Sequence, residues 1–532
     1  MTPRHEDRTT LTEAQVAPVT VLESDERLSR SILWKLQRRY FDEAGVSAWS
    51  TTTVPHYVTC NPAMAHAYAA TVLGWLRDLR DGAQVDPGEP VNLVELGAGS
   101  GRFAYLFLRE LTERLRRAPL AGVRVRYVMT DFTETNVRFF EGHRLLRPFV
   151  EQGVLDFALF DAEEDRELHL RRAGVTLGPG SLKNPLGVVA NYVFDGLRQD
   201  AFSFVEGALQ ERLVSISAPG PVADGTEPAL LERLDVGFTS RPAPLDYYRE
   251  AELDAILRGY AARFDGGTIL FPVAAIRCLA RLADLSGGRM LLLSGDRGDI
   301  REEALVKPDG LGLARHGGFS LDVNYHAIAA FVRARGGEVL EAAHRHAHLQ
   351  VLAFTLGAHP SGYAETRLAY EEAIGRSGPD DLFALRRGIE GSYEALDLGQ
   401  ALSLIRLYRW DPRVLRDCLP VLWKRQPEAT APLCEELVRT VMRVWESFYP
   451  IGEREDLAFE LGLLVHAYGA PGEALSLFQE SIRLHGDDAR ARWNMGLCHY
   501  ARGELEAAVG CFLEAARVEP GFVPVGAVQV KG

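Results

Sequence analysis

Apolar and polar positions along the chain follow helical spacing in some stretches and gather into short runs in others, in an order that predicts an α/β fold. An apolar run at 91–96 precedes three glycines on alternate positions, and an amphipathic stretch at 102–115 follows them. This order predicts a strand, a glycine turn and a helix. Six further apolar runs predict strands, at 123–130, 154–160, 185–190, 288–293, 337–340 and 349–355. With helices between the strands, the pattern predicts a seven-stranded, Rossmann-like sheet.

The regions outside the sheet carry different patterns, which predict a chain of several domains. At 532 residues the chain is too long for one ordinary core. Helical spacing precedes the first strand, and a helical region without a strand signal follows the last one. The predicted parts are a flexible tail at 1–28, an N-terminal helical segment at 29–90, the sheet domain at 91–360 with an insertion at about 201–285, a helical linker domain at 361–450 and a repeat domain at 451–532.

The last part of the chain contains an internal repeat, in which residues of similar size recur at an offset of 34 positions. That period, with its small residues, is typical of tetratricopeptide helix pairs. We therefore expect a C-terminal all-α domain whose repeats form a groove for a protein or peptide. A structural cap or a homodimer contact is the alternative. The matched pairs are Leu461 and Met495, Gly469 and Gly503, Ala474 and Ala508, and Phe478 and Phe512.

The net charge and the cysteine pattern indicate which partners the chain can bind and in which compartment it folds. The net charge is −14 and no block of Lys and Arg occurs, which argues against a nucleic-acid grip based on phosphate neutralisation. No apolar run reaches about 20 residues, so no membrane span is expected. The six cysteines are spread out without a C-x-x-C pair, as expected of free thiols in a reducing compartment. We expect a cytoplasmic protein without nucleic-acid or membrane partners.

The glycine turn is the first candidate for chemistry. Glycine allows positive φ and leaves no Cβ in the way of a ligand, and the helix start offers free N–H groups. The pattern E-L-G-A-G-S-G differs from the dinucleotide pattern G-x-G-x-x-G and resembles the first motif of class I S-adenosylmethionine (SAM) methyltransferases. A plain turn or a site for another nucleotide is left open. The resemblance implies SAM contacts from Glu95, Gly97, Ala98, Gly99 and Gly101.

Acidic residues follow the next two predicted strands, at the edge of the sheet where ligands bind in α/β folds. Asp131 comes directly after the second strand and can accept hydrogen bonds from two ribose hydroxyls. Alternatively, Asp131 or Thr133 caps the helix that follows. Phe132 adjoins this position and is a further predicted cofactor contact. In SAM enzymes the residues after the third strand often contact the adenine amine, which implies this role for Asp161 and Ala162. A solvated turn in an acidic run is the alternative.

The end of the fourth strand borders the transferred methyl group in this architecture. Asn191 and Asp195 follow that strand, and either side chain could orient a nucleophile or take its proton. Both are predicted catalytic residues, and Asn191 is also a predicted cofactor contact.

The order of these features resembles the MidA-like family of SAM methyltransferases, whose mitochondrial members assist the assembly of respiratory complex I. Residues 57–62 are similar to the family's T-S/A-P segment, and residues 190–197 to its A-N-E-x-x-D-A-L-P segment; a looser similarity occurs at 321–326. The resemblance covers roughly residues 30–360 and implies methyl transfer to an arginine of a partner protein. Tyr192 stands where the family has an acid, so arginine is only one candidate acceptor.

These observations lead to a principal hypothesis and two alternatives. The principal hypothesis is a SAM-dependent methyltransferase that acts on a protein or peptide side chain, presented partly by the helical repeats. The alternatives are a small-molecule methyltransferase of secondary metabolism and a non-catalytic assembly or scaffold factor that retains the SAM fold.

The histidines offer candidate bases and ligands. His143 or His326 could act as a general base, although a structural role is expected for each. His344, His346 and His348 alternate before the last strand, where a metal is conceivable but a solvated hairpin loop is expected. We therefore assign no metal.

Overall fold

The chain forms a central sheet, a second sheet and a large helical region. The computed structural model describes residues 19–51, 54, 57–306, 311, 313–344, 349–359 and 362–523. The strands in these residues are β1 (Val19–Arg27), β2 (Val91–Leu96), β3 (Val125–Asp131), β4 (Leu155–Leu159), β5 (Leu168–Leu170), β6 (Val175–Leu177), β7 (Leu186–Asn191), β8 (Asp200–Val205), β9 (Ala208–Pro219), β10 (Asp235–Pro242), β11 (Thr268–Phe271), β12 (Met290–Asp296), β13 (Gly298–Asp299), β14 (Ala314–His316), β15 (Gly318–Ser320), β16 (Val323–Asn324), β17 (Glu338–Leu340) and β18 (Gln350–Leu356).

Several helices begin at residues that the sequence supplies as caps. Asn61 accepts a hydrogen bond from the N–H of Met64, and Pro62 takes the first helical position of the long helix that follows. The helices are α1 (Ile32–Ala44), α2 (Ser47–Ser50), α3 (Pro62–Asp81), α4 (Arg102–Arg117), α5 (Glu134–Gly142), α6 (Arg147–Glu151), α7 (Ala251–Ala261), α8 (Val273–Leu285), α9 (Tyr325–Ala334), α10 (Ala364–Tyr370), α11 (Pro379–Ile389), α12 (Leu398–Leu407), α13 (Pro412–Lys424), α14 (Ala431–Ser447), α15 (Leu457–Ala467), α16 (Pro471–His485), α17 (Ala489–Ala501) and α18 (Leu505–Val518).

The central sheet has the strand order β17-β18-β12-β7-β2-β3-β4. Strands β2, β3, β4, β7 and β12 are parallel, and β18 runs antiparallel to both β12 and β17. The predicted α/β class is confirmed, and each of the seven predicted strands has a counterpart in this sheet. The chain order reverses between β2 and β7, so this pair forms a topological switch point, where ligands bind in open α/β sheets.

The second sheet contains the predicted insertion and a strand that the sequence pattern does not predict. Its order is β1-β9-β8-β11, and β10 also pairs with β9. The prediction of a flexible tail at 1–28 is wrong for Val19–Arg27, which pairs antiparallel with β9, from Val19 opposite Pro219 to Arg27 opposite Leu213. Most of its side chains are exposed or half-buried, so the apolar pattern carries little signal. Backbone pairing with a distant strand, rather than core burial, forms β1.

The C-terminal helices repeat one contact 34 residues apart. A Cβ placed on Gly462 in α15 would lie 2.7 Å from the ring of Phe478 in α16. The ring of Phe512 in α18 presses on Gly496 of α17 in the same way. Each glycine therefore lets the next helix approach closely, which is the physical content of the sequence repeat.

The helical region packs directly on the central sheet domain beside the glycine turn. The ring of Tyr449 stacks on His143 with 3.8 Å between ring centroids, and the hydroxyl of Tyr105 donates to the carbonyl of Glu446 at 2.8 Å. Arg102, the first residue of α4, donates to the carbonyl of Tyr449 at 3.0 Å and pairs with Glu453. Tyr449 belongs to the same apolar core as β2 and α4, so the helical region is part of the support of the turn.

Two further findings concern membranes and thiols. Within the described residues, every helix is too short or too polar to cross a bilayer. All six cysteines lie in the described residues and are free thiols, as the sequence predicts.

Candidate functional site

A cavity of about 380 Å³ lies at the switch point, at the carboxyl ends of five parallel strands. We call it the strand-end cavity. Helices α1 and α11 and the short helix α2 complete its wall opposite the sheet. The wall residues that follow the strands are Gly97 after β2, Asp131 and Phe132 at the end of β3, Asp161 and Ala162 after β4, Asp195 after β7 and Arg297 after β12.

The glycine turn has the left-handed backbone that its sequence predicts. Gly97 and Gly99 each have φ of 56°, and Gly101 has φ of 75°. Gly97 and Gly99 line the cavity. A Cβ on Gly99 would lie 2.9 Å from Cζ2 of Trp49, so the indole covers the turn at van der Waals distance. The absent side chain at Gly99 is therefore required by a neighbour as well as by the backbone.

Three other residues of the predicted turn motif lie outside the cavity wall. Glu95 is buried within β2, and burial raises its pKa to about 8. Ala98 is buried, and its N–H donates to the carbonyl of Thr130 at 2.8 Å. Gly101 is the N-cap of α4, where a Cβ would meet the hydroxyl of Tyr449 at 3.0 Å. These residues pack behind the turn, and their direct contacts with a cofactor stay predictions.

Asp131 lies where the sequence predicts it, in the cavity wall and bonded to the glycine turn. Its Oδ2 accepts from the N–H of Gly99 at 3.1 Å, and its Oδ1 accepts from the N–H and the hydroxyl of Thr133, both at 3.0 Å. Burial raises the pKa of this carboxyl, and these hydrogen bonds oppose the rise. Thr133, rather than Asp131, caps α5 by accepting from the N–H of Asn136. The alternative of a capping role therefore applies to Thr133.

Asp161 also lies in the wall, but an arginine from α1 already binds its carboxylate. Arg38 donates to Asp161 Oδ2 at 2.5 Å and to Oδ1 at 3.3 Å, and its guanidinium lies 4.6 Å from the ring centroid of Phe132. Asp161 is therefore not the solvated turn residue of the alternative. It joins the predicted adenine end of the cavity to the helix that covers it. The composition of the acidic run alone gave no indication of Arg38, because the two segments meet only in the folded chain.

The two predicted catalytic residues have different positions. Asn191 is the last residue of β7, and its Oδ1 accepts from the hydroxyl of Tyr68 in α3 at 2.8 Å. Its side chain does not belong to the cavity wall, and its contact with cofactor or acceptor stays a prediction. Asp195, in contrast, lines the cavity.

Asp195 lies in a buried cluster of charged groups. Its N–H donates to Oδ2 of Asp296 at 3.1 Å, and Ser320 hydrogen-bonds to its carboxyl. Burial raises the pKa of Asp195, whereas the nearby guanidinium of Arg297 opposes the rise. Burial and the neighbouring Asp195 raise the pKa of Asp296 well above its usual range. Two close carboxyls next to one guanidinium can hold a proton near neutral pH, which suits an exchange of protons with an acceptor.

Sequence reasoning missed the aromatic wall of the cavity. Trp34 and Phe41 extend from α1, Trp49 from α2 and Phe383 from α11, and Phe319 comes from β15. The helical spacing before the first strand predicted a helical segment that includes α1, but nothing in that spacing showed that the helix lies across the ends of the strands. The aromatic residues near the N-terminus were the only available signal.

Among the residues that the structure describes, His143, His326 and His344 lie outside the wall of the strand-end cavity. The Nε2 of His143 contacts the carbonyl of Pro450 at 2.9 Å, and burial lowers its pKa to about 4. His326 contacts the hydroxyl of Tyr260 at 2.8 Å. His344 contacts Asp380 of α11 at 2.9 Å, whereas His346 and His348 lie outside the described residues. The structural role expected for His143 and His326 agrees with these contacts.

The chain shows only a distant similarity to known proteins. No family model and no curated protein matches the chain. A COG1565 superfamily protein from Burkholderia thailandensis is 17% identical with a TM-score of 0.38, over 64% of this chain and 90% of that chain. A COG1565 superfamily member and inferred methyl transferase from the same organism, bound to S-adenosyl-homocysteine, is 17% identical with a TM-score of 0.35, over 58% and 80%. An O-methyltransferase family protein from that organism is 10% identical with a TM-score of 0.24, over 61% and 71%. At these TM-scores, the site has to be understood from the geometry of the chain itself.

Proposed function

We propose that the chain is a SAM-dependent methyltransferase whose cofactor binds in the strand-end cavity. The observation that carries the proposal is the meeting of the left-handed glycine turn and the buried Asp131 at the switch point of a seven-stranded sheet. The cavity also offers what a nucleoside needs, namely a carboxylate at the end of β3 and apolar wall residues such as Phe132 and Phe160. One of the structural neighbours from Burkholderia thailandensis is bound to S-adenosyl-homocysteine, the product form of this cofactor.

The residues of the chain would bind and orient the reactants. SAM supplies an activated methyl group on a sulfonium, so the chemistry needs mainly positioning. The N–H of Gly99 fixes Oδ2 of Asp131, whose remaining acceptor capacity faces the ribose in this proposal. Arg38 holds α1 over the opposite end through Asp161 and limits the access of water. Asp195 lines the side of the cavity that follows β7 and is the candidate to receive a proton at its carboxyl oxygen.

The acceptor predicted from the sequence is a protein or peptide side chain, with an arginine nitrogen as one candidate. One contact supports a role for the helical region in acceptor choice: Phe383 and Arg387 of α11 form part of the cavity wall. A small-molecule acceptor is a second candidate, favoured by the aromatic side chains of Trp34, Phe41 and Phe319 in the same wall. Flat apolar surfaces of this kind bind planar groups well.

The test is a SAM titration by calorimetry on the wild-type chain, on Asp131→Ala and on Glu164→Ala. Glu164 is an exposed acid near the end of β4 that lies outside the cavity wall, so it controls for loss of negative charge. We expect micromolar binding that Asp131→Ala weakens about tenfold or more, equivalent to roughly 1.4 kcal/mol, and that Glu164→Ala leaves unchanged. Absence of binding in the wild type would remove the enzyme proposal and favour the scaffold alternative.

A further inference from the structure

A second cavity, of about 990 Å³, lies along α4 from Leu106 to Arg117, between that helix and the helical region. Its wall comes from α3, α4, the turn between α12 and α13, and the end of α14. Six arginines and three glutamates face it, in a chain whose net charge is −14. We call it the arginine groove, after Arg109, Arg114, Arg116, Arg117, Arg409 and Arg443.

Four of these arginines have carboxylate partners. Arg114 pairs with Glu110 at 2.9 Å, and Arg109 pairs with Glu446 at 3.1 Å. Arg116 and Arg117 share Glu113, at 2.8 Å and 2.6 Å. One glutamate serves two arginines, so the paired part of the groove already carries an excess of positive charge.

Arg409 and Arg443 make no ion pair with any residue that the structure describes. The guanidinium of Arg443 lies 3.5 Å from the ring centroid of Trp410, which holds it in place without neutralising it. Arg409 and Arg443 are both exposed at the surface. Partial desolvation lowers the pKa of Arg409; the negative charge of Glu110 opposes this shift, and the positive charges of Arg114 and Arg443 add to it. Two exposed guanidinium groups therefore face the groove without a direct ion pair, and each can donate charge-assisted hydrogen bonds to an anion.

The backbone beside these arginines is strained. Arg409 and Trp410 are consecutive residues with φ of 58°, a left-handed conformation that is unfavourable for residues with a side chain. Strained residues of this kind are concentrated at functional sites. The left-handed turn places Arg409 and Trp410 together in the wall of the groove.

The distribution of charge indicates the kind of anion. The arginines of α4 run from Arg109 to Arg117, about 12 Å along the helix at 1.5 Å per residue, rather than converging on one point. Apolar side chains of Leu73, Leu106 and Phe149 lie in the same wall. A compact anion such as phosphate would use one end of this surface, whereas an extended chain with several carboxylates matches its length and its mixture of charge and apolar area.

We propose that the arginine groove binds an acidic peptide segment of a partner protein. The proposal goes beyond methyl transfer, because it requires neither SAM nor the strand-end cavity. The excess of arginine supplies charge complementarity, Arg409 and Arg443 are the charges that the partner neutralises, and the apolar wall receives the side chains between its acids.

The test uses the full chain and a fluorescein-labelled hexaglutamate peptide, with binding followed by fluorescence anisotropy. We expect saturable binding that weakens as salt rises, since the contacts are ionic, and no binding of labelled hexalysine. The double variant Arg409→Glu and Arg443→Glu should lose roughly tenfold or more of the affinity. The matched control is Arg439→Glu, which reverses an exposed charge one turn earlier on α14 outside the groove wall and should leave the affinity unchanged.

Three results would overturn the proposal: no binding of hexaglutamate at low salt, equal losses in the double variant and in Arg439→Glu, or displacement of the peptide by inorganic phosphate at equal concentration. The last result would place a compact anion in the groove. Because a charge reversal at the strained turn can disturb folding, Arg443→Gln is measured as a second variant, and circular dichroism is recorded for each. A folded Arg443→Gln chain with unchanged peptide affinity also contradicts the proposal.

Discussion

Replacing Gly99 by alanine introduces a methyl group between the glycine turn and the indole of Trp49. The residue has φ of 56°, and the new Cβ would lie 2.9 Å from Cζ2 of Trp49. The left-handed backbone costs alanine about 1–2 kcal/mol. Because carbon atoms prefer separations of about 3.5–4.0 Å, the ring also has to move by roughly half an ångström or more. Overpacking of this kind typically costs about 1–3 kcal/mol.

The two costs can be separated by a control glycine. Gly174 has φ of 66° and no atom within 4 Å of the position that a Cβ would take, so Gly174→Ala carries the backbone strain without the contact. We expect both variants to unfold at lower temperature than the wild type, and only Gly99→Ala to bind SAM more weakly. A tenfold loss of SAM affinity, roughly 1.4 kcal/mol, equals about half of the upper value of about 3 kcal/mol for overpacking.

The assay is calorimetric titration with SAM on both variants, on Trp49→Ala and on the double variant Trp49→Ala with Gly99→Ala. If the methyl group acts through the indole, the effects of the two substitutions are not additive, and the double variant binds about as well as Trp49→Ala alone. Wild-type affinity in Gly99→Ala, or strict additivity in the double variant, would show that the contact with Trp49 does not shape the site.

Three other expectations concern the cover of the cavity, the buried acids and the repeats. Arg38→Gln removes the ion pair between α1 and Asp161 in the cavity wall and should weaken SAM binding severalfold in calorimetry. The control Arg39→Gln removes an ion pair with the exposed Glu43 and should leave SAM binding unchanged. Tighter binding by Arg38→Gln would contradict the role of this ion pair. The raised pKa of Asp296 means that the folded chain loses stability as pH rises from the unfolded pKa, near 4, through the higher folded pKa. Asp296→Asn should therefore reduce the difference in thermal midpoint between pH 5 and pH 8. An unchanged difference would show that Asp296 does not cause this loss of stability. Gly462→Ala, whose Cβ would lie 2.7 Å from a phenylalanine ring, should lower the thermal midpoint, whereas Gly510→Ala, with open space around it, should keep or raise it in scanning calorimetry.

The strands and the turn could be predicted because their signals are local. Apolar runs mark each strand of the central sheet, and the alternate glycines mark the turn whose φ angles are positive. Asp131 could be placed at the site because the end of a parallel strand defines one edge of the sheet. The 34-residue offset likewise corresponds to a contact in the structure, between Gly462 and Phe478, because each repeat packs its two helices in the same way.

The rest could not be predicted because it depends on segments that meet only after folding. Arg38 reaches Asp161 across 123 positions of sequence, and Tyr68 reaches Asn191 across the same separation. The first contact joins α1 to the cavity wall, and the second fixes the side chain of a predicted catalytic residue against α3. Edge strand β1 carried almost no apolar pattern, because main-chain pairing with β9 forms it.

The docking of Tyr449 beside the glycine turn sets an order of events during synthesis. Arg102 and Tyr449 are 347 positions apart, which a ribosome adding about 5–20 residues per second needs roughly 17–70 s to cover. The glycine turn is thus synthesised early, and Tyr449, which packs beside it, is synthesised late. Strand β1 likewise cannot pair before β9 is synthesised, and the hydroxyl of Thr20 donates to the carbonyl of Gly220 beyond the end of β9. During this interval Tyr105 at the start of α4 lacks its contact with the ring of Tyr449, although α3 already packs against the same helix. A gene fragment that stops before residue 449 should therefore yield a chain with an incomplete turn, however intact its sheet.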